Sequence, residues 1–473
     1  MKKFPRGLAA VLAVVAIGTV LGLLALNLIP VWFAPAPAPD PAPIARPEIA
    51  VAKPTALPHL EPDAPAPDPA RLKALLDQVL RKPDGTSFSA TVIDVLDGAT
   101  LYEHGGDRPG IPASSLKILT AVAATTELGL EKTFDTSVVM PDAGTLVLVG
   151  GGDVLLGTGE SRPESTVGHA GVGTLAKKVA AKLTEAHATG GIDDTLKLVL
   201  DDSLFTGPGL NPAWDQSLMD TSNISAVQPL ALYGARRDAG PSSTRVDDPA
   251  MTAAQAFADA LRSELAATTG APQLAAGITR GQSDAGDTTL ASVSSAPLGD
   301  TLSFMLQVSD NYVAEVMGRL VAIKADEPGS YTGGANAVRR SIGRLGIDIT
   351  GMELVDTSGL AATNRVAPRQ LAQTLVLAAT SGVPALRELS YQLPLAGATG
   401  TLSHRLGATS TRGLVRAKTG SLLEVSSLSG LVVADDGRLL AFSVFAKSPQ
   451  QVIAPHKDVL DSFATVLAGC GCR

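Results

Sequence analysis

The reading of this chain turns on Ser114-Ser115-Leu116-Lys117-Ile118-Leu119-Thr120-Ala121-Val122-Ala123-Ala124-Thr125-Thr126-Glu127-Leu128. Ile118 to Leu128 is an apolar run without glycine or proline, which predicts a helix. A serine and a lysine at i and i+3 share one side of such a helix, so an amine lies beside a hydroxyl. Serine is a weak nucleophile until a base takes its proton, and lysine can be that base if burial or a nearby cation lowers its pKa. The helix N-terminus adds a potential that favours developing oxyanion charge. Taken alone, two fixed residues in four recur by chance in 473 residues, and a helix cap with a solvated lysine is the simpler reading.

Two further motifs lie downstream. Ser309-Asp310-Asn311 precedes Tyr312-Val313-Ala314-Glu315, which continues as a helix. Ser309 offers a hydroxyl that can relay a proton between base and leaving amine, and Asn311 a carboxamide that can bridge base and substrate; Ser309 as a plain helix cap is the competing reading. Lys418-Thr419-Gly420-Ser421 lies on a strand-like run. A lysine there can attract a substrate carboxylate, Thr419 can add a hydrogen bond, and Gly420 can let a substrate backbone lie close, as in strand addition. The competing reading is an exposed lysine on an edge strand.

Around these motifs, Ser89–Leu96 and Ala99–Glu103 flank Asp97-Gly98, a short-loop hairpin signal. Leu428–Ala434 and Arg438–Phe445 flank Asp435-Asp436-Gly437, with another strand candidate at Leu414–Thr419. Asp68-Pro69 starts a helix through Leu80, and Val459, Leu460, Phe463 and Val466 outline a closing one. Two strands near the front, three near the back and a helix at each end predict one antiparallel sheet flanked by helices, an α+β design. Residues 136–285 then read as an inserted domain, with strands at Thr145–Val149 and Thr195–Leu200 and a helix at Pro249–Leu265.

Ser-x-x-Lys, Ser-Asp-Asn and Lys-Thr-Gly in this order are the signatures of penicillin-binding proteins and serine β-lactamases. The separation of about 190 residues between Lys117 and Ser309 narrows the match. The chain resembles the class C low-molecular-mass penicillin-binding proteins, the serine D-Ala-D-Ala carboxypeptidase and endopeptidase type, from about residue 70 onward. Gly150-Gly151-Gly152-Asp153, Asp356-Thr357-Ser358-Gly359-Leu360, Asn364-Arg365-Val366, Leu393-Pro394-Leu395-Ala396-Gly397 and Gly400-Thr401-Leu402 look like further family segments. Two departures stand out: Asp356-Thr357-Ser358 where a glycine-containing version is expected, and an insertion shorter than in the larger members.

The resemblance implies a β-lactamase/transpeptidase-like domain, 68–135 and 286–473, with the second domain inserted between the first and second motifs. It implies Ser114 as nucleophile, Lys117 as general base, Ser309 and Asn311 as the second wall, and Lys418 with Thr419 as carboxylate clamp. Gly420 and Ser421 join the substrate-binding strand, and the N–H groups of Ser114 and Ser421 form the oxyanion hole. The implied reaction is D-alanine release from peptidoglycan stem peptides through an acyl-enzyme that β-lactam antibiotics trap, with no metal or cofactor. A β-lactamase-like hydrolase and a catalytically silent wall-binding scaffold are the alternatives.

The remaining sequence fits an exported protein. Lys2, Lys3 and Arg6 precede a largely apolar stretch from Gly7 to Phe33, long enough to span a bilayer. Residues 1–33 therefore read as a membrane anchor with the catalytic part extracytoplasmic, a cleaved signal being the alternative. Residues 34–67 form a Pro/Ala-rich spacer that could reach roughly 100 Å. A net charge of −8 and the absence of basic runs after residue 6 argue against a nucleic-acid partner. Six scattered histidines show no metal-ligand spacing, and no Gly-x-Ser-x-Gly or His-Glu-x-x-His motif occurs. The only cysteines, Cys470 and Cys472, read as thiols of a frayed tail.

Overall fold

A computed structural model describes residues 64–470 except 83, 221, 241–242, 409 and 451. The expected anchor, and all but the last four residues of the spacer, lie outside the described residues. No helix among the described residues is long and apolar enough to cross a membrane.

The first hairpin forms as β1 (Ser87–Asp94) and β2 (Thr100–His104), with a register shift between Val92 and Ile93. The three strands expected near the back of the chain join it, as expected, in one antiparallel sheet. Strands β8 (Val415–Leu422), β9 (Val425–Val433) and β10 (Leu439–Lys447) complete the order β2-β1-β10-β9-β8. Pairing runs from Ser87↔Lys447 to Asp94↔Leu440, so the two ends of the chain share one sheet. β8, which carries Lys418-Thr419-Gly420, is an edge strand.

Both faces of this sheet are covered, which is why β9 and β10 are buried almost throughout rather than alternating. On one face, Leu72 and Leu76 of the Pro69–Val79 helix and Leu460 and Phe463 of the Lys457–Ala468 helix pack on Val92, Phe442 and Val444. The first of these helices starts where expected, the Asp68 side chain accepting from Arg71 N–H at 2.8 Å. The other face meets the helical layer of Lys117–Leu128, Asn311–Lys324 and Pro368–Thr380. That layer buries the first two motifs against the third.

A second sheet comprises β3 (Asp135–Asp142), β4 (Thr145–Gly150), β5 (Thr195–Asp201), β6 (Gln273–Arg280) and β7 (Thr288–Ser294). Its order is β6-β5-β4-β3-β7. β4, β5 and β6 run parallel, whereas β3 is antiparallel to both β4 and β7. Parallel neighbours need crossovers, and the helices Val172–Ala188 and Pro249–Ala266 supply them, burying Leu175, Leu183 and Phe257 on Leu146, Leu148 and Leu198. β3, β6 and β7 escape a reading of the sequence because Met-Pro-Asp ends the first, Gly277 interrupts the second and half-exposed small polar residues fill the third.

Both termini of the described chain are tied down. Arg438, paired with buried Asp94 at 2.7 Å, also donates to the Ala64 carbonyl at 2.6 Å, so the spacer is docked from Ala64 onward. Cys470 is buried and disulfide-bonded, which corrects the expectation of frayed thiols at that residue.

Candidate active site

Ser114 does not lie in the α-helix that the sequence predicts. It sits in a 3₁₀ turn, Ala113–Leu116, and the α-helix begins at Lys117. In a 3₁₀ turn residues i and i+3 eclipse, which aligns the pair more directly than an α-helix would. Lys117 Nζ lies 3.0 Å from Ser114 Oγ. Ala113, just before, holds a φ of 45°, a left-handed conformation that costs a non-glycine residue on the order of 1–3 kcal/mol and is sustained by its surroundings.

Those surroundings come from the third-motif strand β8 and its neighbour β9. Ser427 Oγ on β9 donates to the Pro112 carbonyl at 2.6 Å and shares a 2.8 Å hydrogen bond with Ser115 Oγ. Gly420 on β8 packs directly against this turn: a Cβ there would lie 2.9 Å from both Ala113 Cβ and the Pro112 carbonyl oxygen and would overlap Ser427 Oγ. The structural demand for glycine is thus close approach of the strand to the serine turn, a different reason from the substrate contact anticipated. Gly359, at φ 83°, makes a similarly close approach to the Ala113 carbonyl.

Lys117 is fully buried and donates to Asn311 Oδ1 and to the Ser358 carbonyl, both at 2.7 Å. Burial is the largest influence on it and pulls its pKa from the ordinary lysine value down to about 8, against the opposing charges of Asp356, Asp310 and Glu315. At pH 7 roughly a tenth of such amines are neutral, against fewer than about one in a thousand for an exposed lysine.

The second motif arrives through a break between helices. Leu298–Val308 ends at Ser309, which has a φ of 59°, and Asn311–Lys324 begins two residues later. Asp310, rather than Ser309, caps the second helix, accepting from Val313 N–H at 3.0 Å. The Ser309 hydroxyl is free to face the third motif and receives a 2.8 Å hydrogen bond from Lys418 Nζ.

Lys418 is not the exposed edge-strand lysine of the simpler reading; it is fully buried and also donates to the Thr419 carbonyl. Burial first, and the Lys117 charge second, push its pKa well below the ordinary value. Thr419 Oγ donates to Thr401 Oγ1 at 2.9 Å, which gives the Gly400-Thr401-Leu402 segment a place in the site. Ser421, two residues along β8, is exposed.

Several groups here received no role from the sequence, although Asp356–Leu360 and Asn364 were noted as family segments and Asp310 lies within the second motif. The Asp356–Asn364 loop presents the Ser358 carbonyl to Lys117 because Asp356 gathers Gly359 N–H, Ala361 N–H, Asn364 Nδ2 and Trp214 Nε1 at 2.7–2.9 Å. Glu315 accepts from Thr357 and Ser358 N–H, and burial, aided by the Asp356 charge, pushes its pKa up to about 7. Buried Asp310 pairs with Arg236 at 2.7 Å and Arg245 at 3.3 Å; burial alone would raise its pKa, and the two guanidinium groups outweigh it and hold it at about 2. Paired buried charges at long sequence separation follow no local pattern, so only the folded chain reveals them.

An antiparallel sheet packed on a helical layer, with a serine–lysine turn, a Ser-x-Asn helix break and a lysine-bearing edge strand converging between them, defines the β-lactamase/transpeptidase-like class. Penicillin-binding protein 4 of Haemophilus influenzae has a similar fold, with a TM-score of 0.66 at 23% identity over 83% of this chain and 98% of that one. The model of the D-Ala-D-Ala carboxypeptidase 3 (S13) family matches residues 72–241 and 229–467. A carboxypeptidase of Mycobacterium tuberculosis is 34% identical over 93% of this chain and 90% of its own length. Carboxypeptidase DacB of Mycolicibacterium smegmatis is 34% identical over 92% and 90%. The chain belongs to the S13 family and is a serine-type D-Ala-D-Ala carboxypeptidase, of the class C low-molecular-mass penicillin-binding type.

Proposed function

We propose that Ser114 is the nucleophile of this carboxypeptidase and Lys117 its general base, acting on peptidoglycan stem peptides. The observation that carries the reading is a buried amine, with a pKa of about 8, placed 3.0 Å from the serine hydroxyl. Neutral Lys117 takes the Ser114 proton as Oγ attacks the carbonyl carbon of the penultimate D-alanine. The N–H groups of Ser114 and Ser421 receive the developing oxyanion. The C–N bond then breaks and the amine of the terminal D-alanine leaves with a proton returned from Lys117 through the Ser309 hydroxyl. Water releases the acyl group by the reverse sequence.

Lys418 and Thr419 receive the terminal carboxylate, and Asn311 with the edge of β8 at Gly420 aligns the peptide. A carboxylate beside Lys418 supplies the opposite charge that its burial lacks. A β-lactam, whose strained amide and carboxylate occupy the same positions, acylates Ser114 and blocks it. The β-lactamase-like and silent-scaffold alternatives both predict no lasting adduct and differ in whether the drug is consumed.

The reading extends to architecture. Residues 68–135 and 286–473 form the catalytic domain and 136–285 the inserted domain, a division supported by the separate cores beneath the two sheets; β7, at Thr288–Ser294, extends the inserted sheet slightly past that boundary. Residues 1–33 anchor the chain in the cell membrane, with 34–67 as spacer.

Intact-mass analysis of a chain lacking residues 1–67, incubated with benzylpenicillin beside its Ser114→Ala variant, tests the assignment. A lasting adduct on the unsubstituted serine alone is expected. An adduct on both chains would overturn Ser114; an intact drug and no adduct would favour the scaffold, and drug consumption without a lasting adduct the β-lactamase.

A further inference from the structure

The insertion is more than a neighbour of the catalytic residues: several of its groups grip the Ser-Asp-Asn motif. Arg236 Nη1 and Arg245 Nη2 both reach the Asp310 carboxylate, which is fully buried. Arg245 is itself almost fully buried, donates through Nε to the Ser222 carbonyl at 3.1 Å and through Nη1 to the Gly234 carbonyl, and lies over the Tyr312 ring at 5.6 Å. It therefore joins one turn of the insertion to the start of the Asn311–Lys324 helix.

The next residue of that turn completes a path to the base. The Asn223 carbonyl accepts from Asn311 Nδ2 at 3.1 Å. A carboxamide has one donor end and one acceptor end, so committing Nδ2 to Asn223 turns Oδ1 toward Lys117, which donates to it at 2.7 Å. On the other side of Asp310, Ser309 keeps the left-handed backbone that aims its hydroxyl at Lys418. Such a conformation in a non-glycine residue persists only where the surroundings over-determine it. The Asp310 clamp is the adjacent fixed point.

We propose that Arg236 and Arg245 are positioning residues for catalysis: through Asp310 and the Ser222–Asn223 turn, they set the Asn311 carboxamide and the Ser309 hydroxyl, and the insertion thereby completes the active site. The proposal rests on the acyl-transfer reading of Ser114 and Lys117. It also makes the clamp an electrostatic neighbour of the base. The charged groups acting on Lys117 are Asp356, Asp310 and Glu315, which favour its protonated form, and Arg245 and Lys418, which oppose it.

The test is benzylpenicillin acylation of Arg236→Lys, Arg245→Lys, Arg245→Gln and Asp310→Asn, with the acylation rate constant resolved from the binding constant. Folded fraction is measured by circular dichroism and thermal melting. A lysine keeps the charge and loses the forked geometry that spans Asp310 and two carbonyls. Arg245→Lys should fold and lose acylation rate by about 100-fold, the scale of an angstrom of misplacement. The binding constant should change far less.

The pH profiles separate positioning from stability alone. Acylation requires neutral Lys117, so its acid limb follows the Lys117 pKa. Asp310→Asn removes an anion that favours the charged amine and should move the limb to lower pH; Arg245→Gln removes a cation and should move it to higher pH. Folded variants that acylate at the unsubstituted rate, or a loss accounted for by unfolded protein, would overturn the proposal, as would limb shifts of the same sign. Failure of the unsubstituted chain to be acylated would instead overturn the reading of Ser114.

Discussion

Replacing Gly420 by alanine tests whether the edge strand and the serine turn work as one packed unit. The added Cβ would stand 2.9 Å from Ala113 Cβ and 2.9 Å from the Pro112 carbonyl oxygen. Carbon atoms pack at about 3.5 Å or more, so a gap of about 0.6 Å must open. Ser427 Oγ, which the methyl overlaps, is held by its bonds to Pro112 and Ser115 and has no free rotamer that keeps both. The displacement therefore falls on β8 or on the turn itself, and either separates Ser114 from Lys418 and Ser421. Overpacking of this kind costs roughly 1–3 kcal/mol of stability. Misplacement near an angstrom slows a positioned reaction by on the order of 10²-fold. Stopped-flow acylation by benzylpenicillin reads the rate and thermal unfolding the stability. Gly420→Ala/Ser427→Ala should recover part of the lost rate, because removing Oγ gives the methyl room. A folded Gly420→Ala variant acylated at the unsubstituted rate would refute the packing argument.

Other expectations address the base, the clamp and the far face of the sheet. The acylation rate should rise with pH through an apparent pKa near 8, since the folded-state value of Lys117 lies below the ordinary one and the proposed base acts in its neutral form; a flat profile between pH 6 and 9 would remove Lys117 as base. The same depression has a stability sign: the unfolded chain binds the extra proton, so the Lys117 contribution rises with pH between about 8 and 10.5. Lys418→Ala should chiefly weaken preference for a free terminal carboxylate over its amide, read as the ratio of kcat/KM for the two peptides; an unchanged ratio would contradict the clamp. Phe463→Ala, in the core beneath the opposite face, should destabilise by about 3–5 kcal/mol. Its acylation rate per folded molecule should stay the same, and a large loss would mean that the two faces are coupled.

Legibility followed the range of the interactions. The hairpin around Asp97-Gly98, the strands β9 and β10 and both terminal helices were readable because turn glycines, caps and apolar periodicity are local. The candidate site residues stood out for a similar reason: Ser114 and Lys117, Ser309 and Asn311, and Lys418 to Ser421 each form a short fixed pattern, and the fold brings Lys117 to Ser114 and Asn311 and Lys418 to Ser309. Strands β3, β6 and β7 were not, because their identity depends on neighbours in the second sheet rather than on their own alternation.

By itself, then, the sequence determined which residue types meet and in what order, since local backbone preference and short motifs are written along the chain. Tertiary structure decided their states. Burial pulls the Lys117 amine down to a pKa of about 8, and the close approach of β8 to Pro112 and Ala113 leaves no room for a Cβ at Gly420. Arg236 and Arg245, distant in sequence and unremarked by any local pattern, close on Asp310 only when the insertion folds back. Desolvation, close approach and buried charge pairing all depend on what surrounds a residue in space, and that surrounding exists only once the chain has folded.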